Sequence, residues 1–425
     1  MLRYVIPFAV AAALAACGEK PAAPAAPAET RPPVAAGPAA AVSLGAPETL
    51  AVPSDPATAS AEPYLETAPD GSVLMTWIER TDSHATVRMA RFDGKSWTAP
   101  STIVEADDLF VNWADFPSIH AFESGRLAAH WLQKNGAGKY AYDVRIAGSA
   151  DGGRSWTGAV TPHKDGTATE HGFVSFAHVP GTDELQAVWL DGRLMTPEGG
   201  GHGGGDMTLH WARFTPDGST IEEEELDRRT CECCMTAMTM TPQGAVVAYR
   251  DRSEKEVRDI AVVRQTAGGW SAPAIVHDDG WTIAACPVNG PQLASRGARV
   301  AMAWFTVPKG EGIVNVAFSD DAGATWSAPV RVDGGNPIGR VDVVMPADEG
   351  AVVTWLERAG DEAEIRARFV PRDGAPGEPL VLGRSTSDRA AGFPRIALAG
   401  DTIYAAWTET GDTPRLRFSR VKVNR

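Results

Sequence analysis

An aromatic residue sits in a short apolar run seven times along this chain, at Trp77, Trp131, Trp189, Tyr249, Trp304, Trp355 and Trp407, spaced 54, 58, 60, 55, 51 and 52 residues apart. A regular period of this length marks a repeat architecture and outweighs any local pattern. The runs read Val73-Leu-Met-Thr-Trp77-Ile-Glu79 and Leu185-Gln-Ala-Val-Trp189-Leu-Asp191, most with an acid or amide two places after the aromatic. Around each lie a short strand after a proline or small residue (Pro117-Ser-Ile-His-Ala-Phe122), an alternating strand (Val314-Asn-Val-Ala-Phe318) and a strand after a Trp-Ser/Thr-Ala-Pro phrase (Trp326-Ser-Ala-Pro). Four-stranded units that recur radially are the blades of a β-propeller. The expected fold is therefore all-β, a seven-bladed β-propeller of four-stranded blades over residues 42–425, with six blades as the alternative count.

The last unit supports seven. It holds three strands, near 395–399, 402–408 and 415–423, and then the chain stops. Val42-Ser-Leu-Gly-Ala-Pro-Glu-Thr-Leu-Ala-Val52 reads like the fourth strands elsewhere, so an N-terminal strand is expected to close the ring and cover two open edges.

Composition agrees with a globular chain: 44% hydrophobic, 22% charged, with 43 glycines and 31 prolines to punctuate short strands. The net charge of −15 repels phosphate backbones and excludes nucleic acid as a partner.

Arg3 followed by an apolar stretch from Tyr4 to Ala16 is too short to span a bilayer and reads as an export signal. Its end, Leu14-Ala15-Ala16-Cys17, resembles the lipobox of bacterial lipoproteins, which implies lipidation of Cys17 and a membrane partner through that anchor. With Gly18 rather than an aspartate next, the expected location is the cell envelope at the outer membrane. Residues 18–41, with ten alanines and six prolines, read as an extended tether.

Ser149-Ala-Asp151-Gly-Gly153-Arg-Ser-Trp156 and Ser319-Asp-Asp321-Ala-Gly323-Ala-Thr-Trp326 share the pattern Ser-x-Asp-x-Gly-x-x-Trp between third and fourth strands. They resemble the Asp-boxes of the sialidase-like superfamily, which implies a propeller whose active site lies on the opposite face. On that face the connections from fourth to first strands and from second to third strands hold the unusual residues: Trp113, Asp115, Glu170, His171, the run Cys231-Glu232-Cys233-Cys234, Tyr249-Arg250-Asp251-Arg252, Cys286, Asn289, Arg340, Asp342, Arg389 and a glycine-rich insert around His202. Convergent polar groups around one mouth are the default site.

The resemblance implies an arginine cluster for a substrate carboxylate, a tyrosine–glutamate nucleophile pair and an aspartate acid/base. Arg250, Arg340 and Arg389 are the expected anion contacts, helped by Arg252, and Asp251 and Asp342 are expected to orient Arg250 and Arg340. Tyr249, Glu232 and Asp115 are the expected catalytic set if the chain is an exo-sialidase-like glycoside hydrolase. The Arg-Ile-Pro phrase that opens sialidase domains has no match here, since Pro394-Arg395-Ile396 runs in another order. The ligand expected is a glycan-derived or other small anionic molecule, and no cofactor is required. Two alternatives stand beside it. The four cysteines Cys231, Cys233, Cys234 and Cys286 could pair as a disulfide, one of the first three with Cys286, or hold copper or zinc. The rim could also dock a protein partner.

Overall fold

The computed structural model describes residues 42–81, 84–196 and 204–425; the signal segment, Cys17, the tether and His202 lie outside the described residues. The strands fall into seven antiparallel sheets, each a meander in chain order except the last, which takes in the first strands of the described chain. Blade one comprises Ala59–Thr67, Val73–Arg80, Ala85–Phe92 and Ser101–Ala106. Blade two has strands Ser118–Ala121, Leu127–Lys134 and Tyr142–Ser149, with a lone bridge between Ile146 and Val160 where the fourth would run. Blades three to seven begin with His171–His178, Ala237–Thr241, Gln292–Arg296, Pro337–Ala347 and Arg395–Ala399. All seven first strands line an axial channel of about 350 Å³, to which Glu66, His120, His178, Gln292 and Arg395 contribute polar groups.

The chain ends close the ring. Ser43–Leu44 and Glu48–Leu50 pair antiparallel with the last strand, Arg415–Asn424, in the register Ser43 to Asn424 and Glu48 to Arg420. Leu50 and Val52 pack against the cluster that holds Phe92, Tyr404 and Phe418.

The repeat has a direct physical cause. All seven aromatics of the second strands are buried between blades. A buried indole N–H needs an acceptor, and a residue two places on points to the same face of a strand. Trp77 Nε1 donates to Glu79 at 3.0 Å, Trp189 Nε1 to Asp191 at 2.9 Å, and Trp355 Nε1 to Glu357. The other indoles depart from this: Trp304, followed by Thr306, donates to Asp279 at 2.8 Å, Trp407 donates to the Arg384 carbonyl at 3.2 Å while Glu409 two places on pairs with Arg417, and Trp131 Nε1 finds no acceptor among the described residues.

Both Ser-x-Asp-x-Gly-x-x-Trp turns fold alike. Gly153 N–H donates to Ser149 Oγ at 2.9 Å and Ser155 N–H to Asp151 at 2.9 Å; in the second copy Gly323 N–H donates to Ser319 Oγ at 2.9 Å and Thr325 N–H to Asp321 at 2.8 Å. Both glycines hold φ near +80 to +90°, at 88° and 79°, a conformation open to glycine at little cost.

Three residues expected at the site instead join neighbouring blades. Asp115 accepts the Phe173 N–H at 2.8 Å, Asn289 accepts the Arg340 N–H at 2.6 Å, and Asp342 accepts the Ile396 N–H at 2.9 Å. Each acceptor precedes or opens one blade and satisfies the first strand of the next. The fit is close: a Cβ on Gly172 would stand 2.0 Å from Asp115 Oδ2, and one on Gly339 would stand 2.3 Å from Asn289 Oδ1. Phe173 and Arg340 both sit at strand bulges with φ near +55°, at 55° and 54°. Such bulges turn the chain at the mouth end of the strand.

Candidate functional site

The loops entering blades two, three, four, five and seven enclose a mouth cavity of about 130 Å³ with Trp113, Tyr140, Glu170, Glu232, Cys233, Cys286 and Arg389 on its wall. Trp113 is its aromatic floor. The indole stacks on Phe393 at 5.8 Å and 15°, the Arg340 guanidinium lies 5.0 Å from its ring centre, and the exposed Arg389 lies 5.9 Å from it.

Glu170 is the buried carboxyl of the cavity. The Tyr142 hydroxyl donates to its Oε1 at 2.7 Å. Burial raises the Glu170 pKa to about 7, the Glu232 charge adds to the rise and the Tyr142 bond opposes it. Tyr142 itself is wholly buried and stacked on Phe110 at 3.9 Å, so Glu170 is the end of this pair that meets the cavity. Glu232 is held by Arg258, 2.7 Å from Oε2, and by Arg252 at Oε1. Two carboxyl groups in different surroundings thus share one cavity, which is the arrangement that separates an acid from a base.

The other expected residues go elsewhere. Arg250 is 1% exposed, and its guanidinium donates to the carbonyls of Asn289 (2.9 and 2.7 Å), Arg258 (2.6 Å) and Phe305 (2.6 Å) while lying 4.7 Å from the Trp281 ring centre. Arg340 donates to the carbonyls of Gly392 at 2.9 Å and Asp388 at 3.0 Å. Neither guanidinium pairs with the acid expected to orient it. Asp342 instead bridges Arg395 at 3.2 Å, and Asp251 is half-buried with its pKa raised by burial to about 6. The reason is local: adjacent strand residues point to opposite faces, and the bulge at Arg340 breaks the two-residue alternation with Asp342. Arg252 serves Glu232 and Glu256. Tyr249 is in the core with its hydroxyl on Asp227, and Asp115, as the blade staple, does not line the cavity. Burial raises the Asp115 carboxyl well above the usual range against the opposing Phe173 N–H.

His171 points away from Glu170, into a buried cluster. Its Nε2 lies 3.3 Å from Asp165 and 3.5 Å from Asp191, and its ring stacks on His163 at 3.7 Å. Burial opposes its charge, but the two carboxylates outweigh that and raise its pKa to about 9.

No disulfide forms among the described cysteines. Cys231 Sγ faces Cys234 Sγ at 3.2 Å and Cys233 Sγ at 3.9 Å, and Cys233 is the member whose side chain meets Cys286. Of the three, Cys233 shares the cavity wall with Cys286. Tyr140 and Tyr142 escaped the sequence reading. Their position at the mouth end of a third strand was the available signal.

No family model and no curated protein matches the chain. Among solved structures it is similar to a protein of unknown function from Dyadobacter fermentans, 15% identical with a TM-score of 0.53 over 90% of this chain and 99% of that one. It is similar also to the polysaccharide lyase Uly1, 9% identical with a TM-score of 0.51 over 85% of this chain and 89% of that one. A microbial sialidase, Hz136, is 15% identical with a TM-score of 0.43 over 70% and 63%. The first two likenesses show the fold, a β-propeller. Chemistry has to be argued from the cavity.

Proposed function

We propose that this is an envelope-tethered propeller that binds one sugar unit of an acidic glycan in the mouth cavity and hydrolyses its glycosidic bond. The observation that carries the reading is the convergence of Trp113, Glu170, Glu232 and Arg389 on one cavity of about 130 Å³. The Trp113 face suits the apolar face of a sugar ring. Arg389, exposed and without a carbonyl clamp of the kind that holds Arg250 and Arg340, suits a carboxylate or sulfate bidentately. Glu170, with its pKa near 7, suits proton donation to a leaving oxygen, and Glu232 supplies the second carboxyl that glycoside hydrolysis uses. The likeness to the lyase Uly1 supports a fold able to host polysaccharide chemistry. The Leu14-Ala15-Ala16-Cys17 phrase supports the tether, and Cys17→Ser is expected to move the protein from the membrane fraction to the soluble fraction.

The test is calorimetric titration of residues 42–425 with sialyllactose, a uronic-acid oligosaccharide and lactose as the neutral control, with product analysis by mass spectrometry. The reading expects an acidic glycan to bind and to be cleaved by the wild type but not by Glu170→Gln. Binding of none of the acidic glycans, or cleavage undiminished in Glu170→Gln, overturns it.

A further inference from the structure

Three thiols meet beneath the mouth, in the turn that leads into blade four. Cys231 and Cys234 are buried and Cys233 is half-buried. The three Sγ atoms lie within 4.8 Å of one another, with Cys231 at 3.2 Å from Cys234 and 3.9 Å from Cys233. The spacing is built in by the sequence, since Cys231-Glu232-Cys233-Cys234 folds as a tight turn and brings its sulfurs to one point.

The surroundings are those of a charged sulfur cluster rather than of inert buried thiols. Arg258 donates Nη1 to Cys231 Sγ at 3.2 Å, and the Asn289 backbone N–H donates to Cys234 Sγ at 3.4 Å. A protonated thiol gains little from donors aimed at its sulfur, whereas a thiolate or a metal-bound thiolate is stabilised by them.

We propose that Cys231, Cys233 and Cys234 together bind one thiophilic d10 cation, copper(I) or zinc. Metal–sulfur bonds of about 2.3 Å set ligand sulfurs roughly 3.8–4.0 Å apart in tetrahedral or trigonal sites. The Cys231–Cys233 separation of 3.9 Å already meets this, and the 3.2 Å separation of Cys231 and Cys234 has to open by less than about 1 Å. Three sulfurs suit trigonal copper(I). Zinc requires a fourth ligand, and Cys286, on the same cavity wall as Cys233, is the residue placed to supply it. Binding releases the remaining thiol protons to solvent and changes no oxidation state. The sulfur cluster adjoins the glycan cavity, sharing Cys233 and Cys286 on its wall, but Arg389 and Trp113 take no part in it.

The experiment is competition titration of reduced residues 42–425, under nitrogen, with copper(I) against a chromophoric copper(I) chelator and with zinc against a fluorescent zinc chelator. Metal content by plasma mass spectrometry and an X-ray absorption spectrum complete it. About one ion per chain is expected, with a shell of three sulfurs for copper or a fourth ligand for zinc. Cys233→Ser alters the half-buried member and is expected to weaken binding by more than the roughly 10–100-fold that loss of an outer-shell partner causes. Cys286→Ser is expected to spare copper(I) and weaken zinc. Arg389→Ala is expected to change neither, which keeps this outcome separate from the glycan test. The proposal is overturned if the reduced wild type shows four reactive thiols yet takes up neither ion. It is equally overturned if a Cys231–Cys234 disulfide is isolated whose reduction restores no metal uptake.

Discussion

The Tyr142 hydroxyl donates to Glu170 Oε1 at 2.7 Å from inside the protein, so a residue that does not line the cavity holds down the proton affinity of one that does. Burial is the largest cause of the raised Glu170 pKa near 7, and the Tyr142 bond opposes it. Tyr142→Phe removes the opposing bond and is expected to raise the Glu170 pKa further. If Glu170 acts as the acid, activity falls as pH rises through its pKa, so the alkaline limb of the pH–rate profile in Tyr142→Phe moves upward. Carbon-13 titration of the Glu170 carboxyl measures the same shift without a substrate. An unmoved limb and an unmoved resonance would show that the bond is idle.

A second pH effect belongs to stability. His130 is buried, with Nδ1 2.7 Å from Ser118 Oγ, and burial lowers its pKa to about 3. A folded-state pKa below the unfolded value of about 6.5 gives stability that is complete above pH 6.5 and is lost as pH falls toward about 3. Urea melts between pH 7 and pH 4 are expected to show a loss of roughly 2–4 kcal/mol attributable to this residue. His130→Leu should flatten that part of the acid limb.

Arg250 and Arg389 are expected to separate cleanly. Arg250 holds three carbonyls from deep in the seam between blades, so Arg250→Met should destabilise the protein by about 3–5 kcal/mol, since three buried carbonyls lose their donor at roughly 1–3 kcal/mol each. Arg389→Ala should leave the melting temperature unchanged and weaken acidic-glycan binding by about 1.5–3 kcal/mol. Denaturant melts and calorimetric titrations of both variants check this, and equal loss of stability in the two would contradict it.

The ring closure predicts an asymmetry between two truncations. Removing residues 42–52 strips the last strand of its partner and uncovers the side of the Phe92, Tyr404 and Phe418 cluster where Leu50 and Val52 pack. A loss of about 3–5 kcal/mol follows, from two partly buried aliphatic side chains at roughly 1.5–3 kcal/mol each when fully buried and several ladder hydrogen bonds at about 1 kcal/mol. Deletion of 18–41 alone is expected to leave the melting temperature where it was. Scanning calorimetry of both forms decides it.

The fold was legible because its determinants are local and repeated. The Trp77–Glu79, Trp189–Asp191 and Trp355–Glu357 pairs lie two residues apart, and their spacing exposes the blade. The site was legible only in part. Glu170, Glu232, Trp113, Arg389, Cys233 and Cys286 were found because rim loops depart from the repeat. The roles of Arg250, Asp115 and Asn289 were not, because their partners lie 39, 58 and 51 residues away in other blades. Polarity in a rim loop does not say whether a side chain faces the mouth or the seam beneath it.

The pairing of Ser43–Leu44 and Glu48–Leu50 with Arg415–Asn424 has a consequence for the order of events in folding. Ser43 and its neighbours find no ladder partner until a segment more than 370 residues later in the chain is available. Closure is therefore a late step, slowed by a loop that spans nearly the whole domain. Until then the Arg415–Asn424 edge is open, and the same segment of another molecule can dock there as readily as the chain's own. A high protein concentration during folding would then favour strand-exchanged dimers over closed monomers.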